Sequence, residues 1–171
     1  GDADEARMRA VLRTIDKLDK QGEQAVRGLL VSEAGLSADQ ADRIMDFVRI
    51  SGDNDERLSR AAQMLSGSAP AVEGLGELRT VLDLAIAGGV PPERLRVDLS
   101  IARGLDYYTG TVFETVLGEL PAVGSVMSGG RYDKLISIFT GNDLPAVGIS
   151  VGIDRLFAAL QELGRVRPAT G

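Results

Sequence analysis

Twelve residues from Arg103 to Glu114 concentrate side chains that can do chemistry. They include an arginine, an aspartate, the adjacent tyrosines Tyr107 and Tyr108, and a glutamate, with two glycines between them. A guanidinium offers a rigid fork of donors to phosphate or carboxylate oxygens. A tyrosine hydroxyl can donate or accept a hydrogen bond while its ring packs on a ligand. A polar surface hairpin explains the same residues equally well, because loops are generally polar and rich in glycine.

A second group of this kind follows at Gly129-Gly130-Arg131-Tyr132-Asp133. Glycine allows positive φ and lets the backbone approach a ligand closely, so the glycine pair is expected to border a pocket. We expect Arg131 and Asp133 to form an internal ion pair that holds this turn.

A third stretch runs from Gly148 to Leu156. Gly148, Ser150 and Gly152 alternate along a predicted strand, which leaves one face of that strand nearly flat and able to carry a nucleotide. Arg155 opens the helix that follows.

These three stretches, in this order, resemble the two histidine signatures and the third class II motif of histidyl-tRNA synthetases. The resemblance implies two steps. The carboxylate of histidine attacks the α-phosphorus of ATP, releasing pyrophosphate, and the 3′-terminal adenosine of tRNA(His) then takes the histidyl group.

The resemblance also implies roles for individual residues. Arg103 would be the catalytic residue, in contact with the carboxylate and the α-phosphate, whereas spacing alone favours a salt bridge to Asp106 or Asp98. The histidine site would consist of Arg103 together with Tyr107, Tyr108, Tyr132, Gly129 and Gly130. The ATP site would include Arg155, Gly152 and Ser150. In an extended segment Tyr107 and Tyr108 are expected to point to opposite faces.

ATP is then a substrate, expected with Mg²⁺, and no metal bound by the protein itself is predicted. The expected partners are histidine, ATP and tRNA(His), with a homodimer in the full-length enzyme, no membrane and a cytoplasmic location. The first two class II motifs and an anticodon-binding domain are absent, so we expect a fragment that is inactive alone. Two other functions stay open: a histidine-sensing regulatory subunit of ATP phosphoribosyltransferase, and a synthetase-like module that senses uncharged tRNA.

The composition fits a globular chain of 171 residues, with 44% apolar and 26% charged residues and a net charge of −6. It has no cysteine and no histidine, which excludes disulfides, thiol catalysis and the usual zinc sites. The even spread of charge predicts weak nonspecific binding to nucleic acid. Four arginines of the helical part could meet phosphates, although a solvated face is the better prediction: Arg43, Arg49, Arg57 and Arg60.

Periodicity predicts an α+β fold, with a helical subdomain over 1–90 and the C-terminal part of a class II catalytic core over 91–171. By resemblance, the helical part is the insertion before the first histidine signature. A capping box at Ser37–Gln40 opens one of its helices. The second part is expected to form an antiparallel sheet flanked by helices. Its predicted strands are 95–102, 111–117, 125–128 and 146–151, and its predicted helices are 132–139 and 153–163.

Overall fold

A computed structural model describes residues 2–102, 107–135, 137–142 and 144–166. The chain separates into two compact units, residues 1–105 and 106–171. The division falls fifteen residues after the boundary drawn from composition. The reason is that Val97 is buried with Leu58 and Leu82, which places its segment in the first unit.

The first unit is helical. Its α-helices are α1 (Asp2–Ile15), α2 (Leu18–Gln21), α3 (Glu23–Ser32), α4 (Ala38–Val48), α5 (Asn54–Met64) and α6 (Ala69–Ala87). The helical structure is interrupted between α1 and α2, from Ile15 to Leu18. Residues 16 and 17 form a turn between the two helices.

Side-chain caps fix where two of these helices begin. Ser37 and Gln40 form the predicted capping box at the start of α4. Asp53 and Glu56 form a second capping box at the start of α5. Each box satisfies two backbone donors that the first helical turn leaves open.

Two apolar clusters hold the helical unit together. The first is centred on Val26, Leu30 and Met45, which are almost completely buried between α3 and α4. The second joins Leu58 of α5, Leu82 of α6 and Val97.

The predicted strand over residues 95–102 is wrong, because this segment is irregular. The amide of Asn54 donates to the carbonyl of Leu95 at 2.9 Å, and its oxygen accepts from the N–H of Val97 at 2.8 Å. Arg57 donates to the carbonyl of Val97 at 3.2 Å. Side chains at the start of α5 thus take the hydrogen bonds that a neighbouring strand would supply.

The second unit contains a three-stranded antiparallel sheet of β1 (Val112–Val116), β2 (Ser125–Arg131) and β3 (Val147–Val151), in that order. Two α-helices accompany it, α7 (Ser137–Thr140) and α8 (Ile153–Glu162), and α8 packs against β2. The predicted helix over 132–139 is present only as the short α7, because residues 133–135 form a turn. The predicted combination of helices and an antiparallel sheet is confirmed.

The register of the strands sets which residues share a face. Val112, Gly130 and Gly148 lie side by side across the three strands. Glu114, Ser128 and Ser150 form the next row on the same face, since strand side chains repeat every second residue. In the part of the chain that the structure describes, no helix is long and apolar enough to cross a membrane.

Candidate functional site

The ring of Tyr108 lies directly over Gly130. A β-carbon at residue 130 would come within 2.7 Å of this ring and 2.9 Å of the carbonyl oxygen of Thr111. Such distances are too short for any residue other than glycine. Gly130 is therefore needed for close approach, and it is not among the described glycines with positive φ.

Tyr132 occupies the matching position over Gly148. A β-carbon there would overlap the hydroxyl of Tyr132. Because Gly130 and Gly148 are direct neighbours in β2 and β3, the two rings lie next to each other on one face of the sheet. Their centroids are 6.2 Å apart with an angle of 28° between the planes, a stacked arrangement. The paired glycines form the floor of the site.

Gly129, the other member of the predicted glycine pair, faces the opposite side of the sheet. A β-carbon at this position would lie 2.7 Å from the ring of Phe113. The structure thus brings Gly130, and not Gly129, beneath a tyrosine. Alternation along β2 separates the two glycines.

Tyr107 does not point away from Tyr108, contrary to the expectation from an extended segment. The two ring centroids are 4.5 Å apart, with the planes tilted by 56°. Residue 107 lies in a turn, so the alternation of a strand does not apply to it. The three tyrosines form one continuous group, which we call the tyrosine cluster (Tyr107, Tyr108 and Tyr132).

Burial raises the pKa of the Tyr108 hydroxyl above its ordinary value of 10.0, and a hydrogen bond with Tyr107 raises it further. Tyr132 and the carboxylate of Glu114 act in the same direction. The hydroxyl is therefore neutral over the physiological range, and a neutral phenol can both donate and accept a hydrogen bond.

The predicted ion pair between Arg131 and Asp133 is confirmed, with 3.0 Å between Nε and the carboxylate. Sequence reasoning missed the role of Thr109 beside it. The hydroxyl of Thr109 accepts from the N–H of Asp133 at 2.9 Å and donates to the Asp133 carboxylate at 3.2 Å. These bonds lower the pKa of Asp133, the Arg131 bond most strongly.

The residues predicted to bind ATP lie on β3 and at the start of α8. Ser150 shares its face with Gly148, and Gly152 precedes the first turn of α8. Arg155 is exposed, and its guanidinium donates to the carbonyl of Ser125 at 2.5 Å. The strand and the helix therefore place a flat, small-residue surface and a cation in the same unit as the tyrosine cluster.

The remaining predicted residues divide into two groups. Arg103 and Asp106 lie outside the described residues. Of the helical arginines, Arg57 is engaged by the carbonyls of Ile50, Gly52 and Val97. Arg60 donates to Ser51, and Arg49 pairs with Glu23. Arg57 thus has a structural role, for which its position in the first turn of α5 gave no signal.

No group of three or more His, Cys, Asp or Glu side chains suited to a metal ion is found among the described residues. The described part of the site offers tyrosine hydroxyls, aromatic faces and the guanidinium of Arg155, with the carboxylates of Glu114 and Asp133 close by. Such a set binds, orients and stabilises a ligand.

Comparison with known proteins identifies relatives of this chain. A family profile described as histidyl-tRNA synthetase matches residues 2–156. The histidine–tRNA ligase of Rhodopirellula baltica is 47% identical over 156 residues, which cover 91% of this chain and 35% of that protein. The chain thus spans about a third of the length of the curated relatives it matches.

Two solved structures resemble the fold. The histidyl-tRNA synthetase from Nostoc sp. PCC 7120 has a TM-score of 0.87 and 41% identity, covering 95% of this chain and 38% of that one. An ATP phosphoribosyltransferase regulatory subunit/histidyl-tRNA synthetase from Bacillus halodurans has a TM-score of 0.70 and 28% identity, and the match covers 87% of this chain and 37% of that one.

Proposed function

The chain belongs to the histidyl-tRNA synthetase family, and we propose that it forms part of a histidine–tRNA ligase. The observation that carries this proposal is the stack of Tyr108 and Tyr132 above the paired glycines Gly130 and Gly148. Three separate sequence motifs meet there. Because the chain spans about a third of its relatives' length, the complete reaction is proposed for the whole protein that contains it.

In this proposal the tyrosine cluster recognises the imidazole of histidine. A neutral hydroxyl can donate to one ring nitrogen or accept from the other, and the aromatic face of a neighbouring tyrosine can pack against the ring. The hydroxyl of Tyr108, whose pKa is raised above 10.0, is neutral at physiological pH, as an ordinary tyrosine is. The rings of Tyr107 and Tyr132 both lie beside the ring of Tyr108.

Arg103 is proposed as the catalytic residue, in contact with the histidine carboxylate and the α-phosphate. One carboxylate oxygen forms a bond to the α-phosphorus, and the bond from that phosphorus to pyrophosphate breaks. Arg103 would hold both anions in line and stabilise the charge that grows on the phosphate oxygens. ATP arrives with Mg²⁺, which neutralises part of its charge.

Ser150, Gly152 and Arg155 are proposed to border the nucleotide. Tyr132 covers Gly148, so the small residues left to face the flat base are Ser150 and Gly152. A guanidinium plane such as that of Arg155 stacks well on an aromatic ring. The exposed position of Arg155 in the first turn of α8 supports this role. Transfer to tRNA(His), action as a homodimer and a cytoplasmic location are part of the same proposal.

Histidine-dependent exchange between ATP and pyrophosphate in the whole protein tests the proposal. Arg103→Ala should lower the exchange rate roughly 10²–10³-fold, as expected for loss of a donor that stabilises transition-state charge. Arg165→Ala is the matched control, because Arg165 pairs with Glu119 on the surface of the same unit and should leave the rate unchanged.

The outcome also separates the enzyme from a histidine-sensing regulator. The Bacillus halodurans protein is described both as a regulatory subunit of ATP phosphoribosyltransferase and as a histidyl-tRNA synthetase, so both functions have to be compared. A ligase shows histidine-dependent exchange and charges tRNA(His). Histidine binding without exchange would overturn the proposed activity and favour the regulator. The higher identity and TM-score of the Nostoc enzyme favour the ligase.

A further inference from the structure

Thr109 connects the two stretches that carry the tyrosine cluster. Its backbone N–H donates to the carbonyl of Arg131 at 2.8 Å, and the N–H of Arg131 donates to Thr111 at 3.0 Å. These bonds continue the ladder of β1 and β2 beyond the last paired residues, Val112 and Gly130. The backbone thus already aligns residue 109 with residue 131.

The side chain of Thr109 adds a second connection, to Asp133. Its one hydroxyl accepts the N–H of Asp133 and donates to one carboxylate oxygen of the same residue. The carboxylate also accepts from Nε of Arg131 at 3.0 Å. Thr109, Arg131 and Asp133 therefore form a closed ring of hydrogen bonds, which we call the Thr109 ring.

Both tyrosines are direct sequence neighbours of residues in the Thr109 ring. Tyr108 directly precedes Thr109, and Tyr132 lies between Arg131 and Asp133. A displacement of either segment would change the 6.2 Å separation of the two aromatic rings. Misplacement by about 1 Å can cost about 10²-fold in rate when a site depends on geometry.

We propose that the Thr109 hydroxyl and the Asp133 carboxylate form a positioning pair that sets the spacing of Tyr108 and Tyr132 for an imidazole ligand. This inference rests on the proposed function for the identity of the ligand. Both residues are partly or fully exposed, so they contribute little to the core. Their effect is expected in ligand recognition rather than in stability.

Thr109→Val and Thr109→Ser are the decisive variants of the whole protein. Valine keeps the shape of threonine and removes the hydroxyl, whereas serine keeps the hydroxyl and removes the methyl group. Thr109→Val should raise the KM for histidine about tenfold, the equivalent of one charge-assisted hydrogen bond. The KM for ATP should stay within about twofold, and Thr109→Ser should resemble the wild type.

Asp133→Ala should raise the KM for histidine at least as much as Thr109→Val, since it also removes the bond to Arg131, and the double variant should be no worse than Asp133→Ala alone. Such non-additivity is the signature of two residues that act as one unit. Additive losses would overturn the pairing. An unchanged KM for histidine in Thr109→Val, or an equal loss in Thr109→Ser, would overturn the role of the hydroxyl.

A second readout is independent of catalysis. In this chain, contacts between the rings of Tyr108 and Tyr132 can be followed by proton NMR, since the chain has only 3 tyrosines and no tryptophan. Ring-to-ring cross-peaks should weaken in Thr109→Val and persist in Thr109→Ser. If they are unchanged in both, the inference fails even where histidine exchange is confirmed. If the wild type shows no exchange, the proposed function fails and the NMR result still decides the inference.

Discussion

The two units of this chain bury their apolar residues to different extents. Thirteen of the fifteen buried apolar residues in the described part of the chain belong to the helical unit, and only Val126 and Ala159 belong to the sheet unit. On β3, by contrast, Val147, Ile149 and Val151 are 69%, 60% and 45% exposed. The helical unit therefore depends on packed clusters, whereas the sheet unit depends on strand pairing and on close contacts around glycine.

This difference matters for function because the proposed site is on the less buried unit. Its geometry rests on backbone spacing, the tyrosine cluster and the Thr109 ring. Interactions of this kind fix positions without contributing much to global stability. Mutations should thus separate into those that unfold the helical unit and those that distort the site.

The largest effect on stability is expected from Met45→Ala. Met45 is 1% exposed in the first helical cluster, and removing its side chain leaves a cavity. The free energy of unfolding should fall by about 2–5 kcal/mol. Urea denaturation followed by far-UV circular dichroism measures the change.

Ile149→Ala in the sheet unit is the control for this comparison. Because Ile149 is exposed, the same experiment should show a change of only about 0.5 kcal/mol. Equal losses for Met45→Ala and Ile149→Ala would contradict the difference in burial between the units.

Asn54→Ala tests whether side-chain hydrogen bonds hold residues 95–97 on the helices. It leaves the carbonyl of Leu95 and the N–H of Val97 without their partner, at a cost of about 1–3 kcal/mol. Asn54→Asp retains the acceptor for Val97 and should lose less. The melting temperatures of the wild type, Asn54→Asp and Asn54→Ala, measured by thermal unfolding, rank the three proteins by stability.

Asn142→Ala supplies a matched control, because Asn142 is exposed and its described hydrogen bonds join it to Thr140, two residues away. Asn142→Ala should change the free energy of unfolding by about 0.5 kcal/mol or less, as is usual for a surface substitution. If Asn54→Ala were as mild as Asn142→Ala, the irregular segment would be held by burial of Val97 alone.

Replacing glycine by alanine should change the stability of the two units in opposite directions. Gly130→Ala forces a β-carbon against the ring of Tyr108 and should destabilise the sheet unit by about 1–3 kcal/mol. Gly74→Ala lies in α6 with open space around it, and should stabilise the helical unit by about 0.5–1 kcal/mol.

Tyrosine fluorescence reports the sheet unit selectively, since all 3 tyrosines lie there and the chain has no tryptophan. Gly130→Ala should shift the unfolding transition seen by fluorescence to lower stability. Gly74→Ala should shift the transition seen by circular dichroism to higher stability. A stabilising Gly130→Ala would show that the ring of Tyr108 can move away without cost.

Local patterns predicted much of the helical unit. The α4 helix begins at the capping box that was predicted from Ser37 and Gln40. The spacing of apolar residues also predicted which residues of α4 are buried. These features depend on neighbours within one or two turns of the chain. No glycine or proline marks the break between α1 and α2, where residues 16 and 17 form a turn, so local composition gave no signal for it.

Features that depend on distant partners were not predictable in the same way. Alternation over residues 95–102 indicated correctly that Val97 is buried, but it could not show that Asn54, more than forty residues upstream, replaces a strand as hydrogen-bond partner. The positions of Gly129 and Gly130 on opposite faces also required the register of β2. The tyrosines were predicted as site residues from a motif, while their contact and the Thr109 ring required the structure.

The smallest expected effect is the pH dependence that Tyr108 gives to the sheet unit. Burial, followed by the bond with Tyr107, raises the pKa of Tyr108 above 10.0 in the folded protein, so folding favours the neutral hydroxyl. This contribution to stability is complete below the unfolded pKa of about 10 and is lost as the pH rises through the folded pKa. An ultraviolet titration should show one tyrosine ionising later than in the unfolded chain. Tyr108→Phe should remove that late step, and Tyr107→Phe should move it to lower pH; a late step that survives in Tyr108→Phe would assign the buried hydroxyl to another tyrosine.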